Sequence, residues 1–170
     1  MKKLNQEIII RPPKLSDAKS LVEMMNSLID EKAMISVQKK VTLEDEKEYL
    51  KEILKDKNSI HLFLLINGEV MGSASISRHS DIRSHIGEMG IIIKKEARGL
   101  GLGKKIFKEV MEKGIKELKL KIVSLTVFES NKIAQNLYKK LGFEKLGTVK
   151  KGVKYYEKYE DSIIMVKYLD

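Results

Sequence analysis

The chain reads as an α/β protein built on a mixed, mostly antiparallel central sheet of about seven strands with flanking helices, in the order β-α-α-β-β-β-α-β-α-β-β. Three observations predict it. Amphipathic helical stripes alternate with short apolar runs from end to end. The pair Asn67–Gly68 joins two such runs and is the strongest short-range hairpin signal, which makes the first half antiparallel. A helical stripe separates the apolar runs 85–93 and 122–128, which permits a parallel, right-handed crossover between them. No linker interrupts the pattern, so residues 1–170 are expected to make a single domain with a sizeable core.

Residues 8–11 predict the first strand, closed by Pro12–Pro13. Ser16 and Asp17 are the expected cap of a helix whose apolar positions Ala18, Leu21, Val22, Met25, Leu28 and Ile29 follow helical spacing. The stretch 31–41 is irregular. Thr42 is the expected cap of a second helix, with Leu43, Leu50, Ile53 and Leu54 on its buried side. Residues 60–66, IHLFLLI, are apolar on both faces, which suits a central strand. The return strand, 69–77, alternates Val70, Gly72, Ala74 and Ile76 against Met71, Ser73 and Ser75. A polar turn, RHSDIRS, leads into a strand over 85–93. The run KKIFKEVMEKGIKEL places Ile106, Phe107, Val110, Met111 and Ile115 on one helical stripe. A buried strand over 122–128 follows, then a helix over 131–140 stopped by Gly142. Two strands, near 143–150 and 162–169, close the chain.

Composition narrows the function classes. With 42% hydrophobic and 34% charged residues the chain has the make-up of a soluble globular protein, and no segment approaches the apolar length of a membrane span. The opening MKKLNQEIIIRPP holds an apolar run of three isoleucines, too short for a signal peptide. Having no cysteine, the chain has no disulfide framework, thiol nucleophile or thiolate metal site, and a cytoplasmic location is the default expectation. Its three histidines lack ligand spacing, so no metal is expected. The formal charge of +9 raises the question of nucleic acid. Yet the lysines are spread along the chain and often alternate with glutamate, as in LEDEKEYLKEILKDK, which is the pattern of a solvated helix face. Aromatic content of 6%, without tryptophan, also argues against base stacking, so no nucleic-acid partner is expected. A modest basic bias suits a polyanionic small ligand.

Such a ligand has a candidate seat in EARGLGLGKKIF, where three glycines fall at alternate positions ahead of a helix. Each glycine costs a helix or strand roughly 0.5–1 kcal/mol against alanine, so something there needs bare backbone. Two nucleotide motifs fail on spacing. A P-loop needs four residues between its first glycine and the Gly-Lys pair, but Gly99 to Gly103 leaves three, and Lys105 stands where serine or threonine belongs. The dinucleotide fingerprint needs a third glycine at position 104, which is lysine. What remains is Arg98-Gly99-Leu100-Gly101-Leu102-Gly103, an R-x-x-G-x-G segment between a strand and a helix N-terminus. Unpartnered N–H groups and the helix dipole attract a phosphate there, and glycines let it approach without meeting a β-carbon. Lys104 and Lys105 add cationic charge. Taken alone, the segment also suits a plain tight corner.

R-x-x-G-x-G after a buried strand resembles the acetyl-CoA pyrophosphate loop of the GNAT superfamily of N-acetyltransferases. VFESNKIAQNLYKKLGFEKLGT is similar to that superfamily's second motif, N-x-x-A-x-x-x-Y-x-x-x-G-F, and the order of elements matches its fold. The specific similarity runs from about His85 to Gly147. Within the superfamily the chain looks most like bacterial enzymes that acetylate free amino acids or related small amines. The resemblance implies acetyl-CoA as co-substrate, entering where strands 85–93 and 122–128 splay apart. Backbone groups of Ile91, Ile92 and Ile93 would pair with the pantetheine amides, one N–H polarising the thioester carbonyl. Arg98, Gly99, Leu100, Gly101, Leu102, Gly103 and Lys104 would hold the diphosphate. Asn131, Ala134 and Tyr138, spaced to share one helix face, would meet the cofactor, Asn131 near the pantetheine arm and Tyr138 near the sulfur.

The implied chemistry is direct attack of an amine on the thioester. The thiol of a departing thiolate has an ordinary pKa near 8.5 against about 10 for a phenol, so Tyr138 is the candidate general acid. The amine arrives as ammonium and needs a base. Glu88, on the strand leading to the cofactor, is the candidate, with His85 and His79 flanking the region; members of the superfamily vary this residue. Residues 24–41 are expected to line the acceptor site; they carry Asp30, Glu31 and several lysines. The leading expectation is a small-molecule amine acceptor, an amino acid or analogue. Polyamines, protein N-termini and a non-catalytic acetyl-CoA sensor are the alternatives, and the resemblance makes a homodimer the candidate assembly.

Overall fold

The computed structural model describes residues 6–169; the charged start, 1–5, and residue 170 lie outside the described residues. The strands are β1 (Ile8–Arg11), β2 (Ser59–Ile66), β3 (Glu69–Arg78), β4 (Ile86–Ile93), β5 (Ile122–Phe128), β6 (Glu144–Tyr155) and β7 (Lys158–Tyr168). They form one sheet in the order β1-β2-β3-β4-β5-β7-β6, in which only the β4–β5 pair is parallel. Helices α1 (Ala18–Asp30) and α2 (Leu43–Lys55) lie on one face, α3 (Leu102–Leu118) and α4 (Lys132–Lys140) on the other. This is the expected mixed α/β architecture, with α3 as the crossover between the parallel strands. No helix among the described residues is long and apolar enough to cross a membrane.

Each face of the sheet carries its own core. Ile106, Phe107, Val110 and Met111 of α3 pack with Leu62, Leu64, Ile76 and Val123. Across the sheet, Leu21, Met24 and Leu28 of α1 and Leu50 of α2 pack on Phe63, Leu65 and Val70. β2 therefore contributes side chains to both cores, as its unbroken apolar run predicts. Fully burying such side chains is worth about 1.5–3 kcal/mol each.

Local signals explain most boundaries. Thr42 caps α2 reciprocally with Asp45: its hydroxyl oxygen accepts from the Asp45 amide at 3.2 Å, and its own amide donates to the Asp45 carboxylate at 2.8 Å. Asp17 sits at the start of α1, yet its side chain does not cap the helix as expected. It accepts instead from the Lys14 amide at 2.8 Å and from both terminal nitrogens of Arg11 at 2.7 and 2.8 Å. Burial pushes the Asp17 carboxyl up, but the Arg11 and Lys14 hydrogen bonds outweigh it and hold the group below its ordinary value. The pair ties β1 to α1.

Three expectations need correction. Leu43 and Leu54 are exposed, because α2 turns Leu50 and Ile53 toward α1 and buries Glu46 one turn before them. The alternation along β3 changes phase at a bulge opposite Leu64/Leu65, so Val70 faces α1 while Met71 joins Ala74 and Ile76 on the α3 side. The closing strands are longer than predicted and meet in a hairpin at Tyr155–Lys158. That turn contains no glycine: Tyr156 itself takes the left-handed conformation, with φ of 52°.

Candidate active site

The site begins with a fork in the sheet. β4 and β5 share only three rungs, Ile86 with Ile122, Gly87 with Val123 and Glu88 with Ser124. Beyond them β4 stays paired to β3 as far as Ile93, and β5 stays paired to β7 as far as Phe128. The facing edges of 89–93 and 125–128 thus have no strand partner, and an unpaired strand edge is a template for another extended chain. A groove of about 720 Å³ opens along this gap, lined by Ile91, Ile92 and Ile93 on one side and Asn131, Ala134 and Tyr138 on the other. Packing and exposure of backbone coexist at the three isoleucines: Ile91 and Ile93 pack on the α3 core and Ile92 on the α1 core.

At one end of the groove stands the glycine corner. Gly99 and Gly101 have φ of 76° and 75°, the left-handed region in which a β-carbon is strained. At both, an added β-carbon would meet nothing within 4 Å, so bare space lies over the backbone. Gly101 is the N-cap of α3, and among the described residues the amides of Gly101 to Lys104 have no backbone acceptor. Bare N–H groups at a helix start, open to an approaching ligand, fit a diphosphate. The guanidinium of Arg98 is engaged elsewhere: it donates to the Ile93 carbonyl at 2.9 Å and pairs with Glu31 at the end of α1.

α4 supplies the opposite wall. Asn131 caps it by accepting on its side-chain oxygen from the Ala134 amide at 3.1 Å, which leaves the side-chain Nδ2 of Asn131 without a protein partner among the described residues. Gln135, which is not among the sequence-based candidates, is buried and donates to the carbonyls of Phe128 and Glu129 at 3.0 and 2.8 Å, fixing the turn that aims α4. Its only signal in the sequence is its place one turn after Asn131. Tyr138 is 8% exposed and packs against Phe107 and Phe143, with ring centroids 5.3 and 6.2 Å away. Burial pushes its phenol up to about 12.

Glu88 occupies the last shared rung, exposed, where the strands part. It lies on the face of β4 opposite the Tyr138 cluster, because Met89 belongs to the α3 core and Ile92 to the α1 core. The two candidate catalytic residues therefore flank the gap from opposite sides of the sheet. Gly90 and Ser75 continue the Glu88 face, and the exposure of Gly90 leaves an open floor beside it. His85 and His79 do not join this group. They stand at the paired end of β4, His85 three residues before Glu88, roughly 10 Å along an extended chain, and His79 bonded through its amide to the Ile86 carbonyl. A third histidine, His61 on β2, shares a cross-strand row with Ser75 and Gly90. Its Nε2 lies 3.0 Å from the Ser59 hydroxyl, which itself donates to Asp56 at 2.7 Å, so the imidazole carries its proton on Nε2 and leaves Nδ1 buried without a partner.

Comparison with known proteins agrees with this geometry. The model of the acetyltransferase (GNAT) family matches residues 22–143. The chain belongs to that family. It is 32% identical over 118 residues to the L-amino acid N-acetyltransferase AaaT of Escherichia coli K12, covering 68% of this chain and 73% of the relative. A solved GNAT-family acetyltransferase from Streptococcus pneumoniae superposes with a TM-score of 0.85 at 30% identity, over 96% of this chain and all of that one. The putative acetyltransferase yncA of Salmonella typhimurium, solved with its cofactor acetyl-CoA, shares the fold with a TM-score of 0.78 at 20% identity, over 96% of this chain and 95% of its own. The GNAT chain described here is thus an acyltransferase of the N-acetyltransferase class.

Proposed function

We propose that this GNAT enzyme transfers an acetyl group from acetyl-CoA to the primary amine of a small molecule, an amino acid or analogue, by direct attack on the thioester. The observation that carries the reading is the fork: a strand edge without a partner runs from Glu88 into a helix N-terminus whose amides are bare and whose glycines leave room above them. The likeness to AaaT supports an amino acid as acceptor.

Acetyl-CoA supplies an activated thioester whose carbonyl carbon takes the amine and whose sulfur leaves as thiolate. The chain's residues divide the remaining work. Amides of Gly101 to Lys104 bind the diphosphate, and the free edge at Ile91–Ile93 aligns the extended arm. The side-chain Nδ2 of Asn131 donates to that arm from α4. Glu88, on the α1 side of the gap, takes a proton from the incoming ammonium directly or through one water. Tyr138, on the α3 side, donates a hydrogen bond toward the sulfur. With its phenol near 12 against a thiol near 8.5, complete proton transfer is uphill by roughly 5 kcal/mol, so hydrogen-bond donation is the role burial favours.

A thiol-release assay with acetyl-CoA across amino acids, polyamines and N-terminal peptides tests the proposal. Turnover concentrated among free amino acids is expected. Turnover confined to peptides or polyamines would replace the acceptor class, and no amine-dependent thiol release across the whole panel would defeat the reading.

A further inference from the structure

The segment after α1 walls the groove with Ala33, Met34 and Ile35, beside Leu28 of α1, and the exposed Lys32 stands at these apolar side chains. Lys32 directly follows the C-cap of α1. Lys32 has φ of 52°, a left-handed conformation that costs a residue with a β-carbon roughly 1–2 kcal/mol. Hydrogen bonds on both sides fix it: the Lys32 amide donates to the Ile29 carbonyl at 3.0 Å, and the Tyr155 hydroxyl donates to the Lys32 carbonyl. With the Ala33 amide donating to the Leu28 carbonyl at 2.9 Å, this is the paired closing motif of a helix C-terminus, in which the residue after the cap is left-handed.

The side chain has an aromatic neighbour. The Lys32 ammonium lies 5.6 Å from the centroid of the Tyr156 ring. Tyr156 is anchored through its amide, which donates to the Gln38 side chain at 2.8 Å. A ring face attracts a cation without neutralising it. Among the described residues no carboxylate pairs with Lys32, whereas its charged neighbours are matched: Arg98 with Glu31, and Lys40 with Asp30. Within this stretch of the wall, Lys32 is thus the cation without a carboxylate partner among the described residues.

We propose that Lys32 anchors the acceptor's carboxylate, so that the acceptor is an amine carrying an anionic group, with a neutral α-amino acid as the best fit. This rests on the acetyltransfer reading above and deepens it. The carboxylate does not react, so its contact with Lys32 is equal in ground and transition states and acts on KM rather than kcat. The neighbouring apolar side chains suit an aliphatic side chain. A polyamine would bring more positive charge to an already cationic wall.

The test compares wild type, Lys32→Ala and Lys32→Arg with L-leucine and with 3-methylbutylamine, which is leucine without its carboxylate. A charge-assisted contact is worth about ten- to hundredfold in KM. We expect wild type to prefer leucine by about that factor, and Lys32→Ala to lose the preference through KM for leucine. Its kcat, its KM for acetyl-CoA and its turnover of 3-methylbutylamine should stay near wild type, with Lys32→Arg recovering part of the loss. Equal losses on both amines, or a raised KM for acetyl-CoA, would overturn the anchor and assign the cation to the fold or to the donor's phosphates. Wild-type turnover of polyamines or peptides, but of neither probe, would overturn it while leaving acetyltransfer intact. Failure to release thiol with any amine would instead defeat the parent reading.

Discussion

Tyr138 carries the sharpest prediction at the scale of single residues. Its position among Phe107 and Phe143 is core-like, yet its ring also lines the groove. Tyr138→Phe should keep the packing, leave the acetyl-CoA Kd within a factor of about two and lower kcat by about a hundredfold, the usual cost of one preorganised donor. The pH dependence follows from the direction of the shift. A phenol raised to about 12 stays protonated through the working range, so the ratio of wild-type to Phe kcat should be flat from about pH 7 to 10. A ratio that rises with pH in that range would make the ionised phenolate the active form and reverse its role. His61 shows how much a residue's role depends on its partners: Ser59 and Asp56 set its tautomer.

The glycine corner divides its labour at the scale of elements. Gly99 and Gly101 are required by backbone conformation, so Gly101→Val would strain the N-cap of α3 and confound folding with binding. Gly103 is different. An added β-carbon there would sit 3.5 Å from the Ile93 side chain and 3.9 Å from that of Ile91, ordinary contacts, inside a helix that gains about 0.5–1 kcal/mol from alanine. Gly103→Ala should therefore hold or raise Tm while weakening acetyl-CoA binding by about tenfold, read by calorimetry. Unchanged affinity in the stabler variant would show that the amides there are not a phosphate seat.

The fork is a property of the whole molecule. It exists because β4 remains bound to β3 and β5 to β7 after the two cease to bind each other. A ligand that bridges the gap should act on amides that the sheet leaves free. Saturating acetyl-CoA is expected to slow hydrogen exchange within 89–93 by at least about tenfold, while amides 63–66 of β2, flanked by strands on both edges, change little. Exchange in 89–93 unaffected by acetyl-CoA would remove the donor from the groove. At the same scale, the loop after α1 and the β6–β7 hairpin are joined by Gln38, which donates to the Lys154 carbonyl at 2.9 Å and accepts from the Tyr156 amide. Segments more than a hundred residues apart thus build one wall.

Where a signal is local, the sequence alone determined the outcome. Asn67–Gly68 made a hairpin, Thr42 with Asp45 made a cap, and the 3.6-residue stripe of α3 found the larger core, because each is decided by backbone sterics or helix period within a few residues. The glycine corner, Asn131 and Tyr138 were legible for the same reason: their spacing places them at helix starts or on one helix face. The tertiary structure decided what depends on partners distant in the chain. The two closing strands are legible, but their full length and tight turn are not, because the edge strand is studded with exposed lysines and the turn places Tyr156, not glycine, in the left-handed region. The pairing of Arg98 with Glu31, the burial that raises Tyr138 and the unmatched charge of Lys32 arise only when segments from both ends of the chain are packed together, since burial and electrostatic partnership are properties of three-dimensional neighbours.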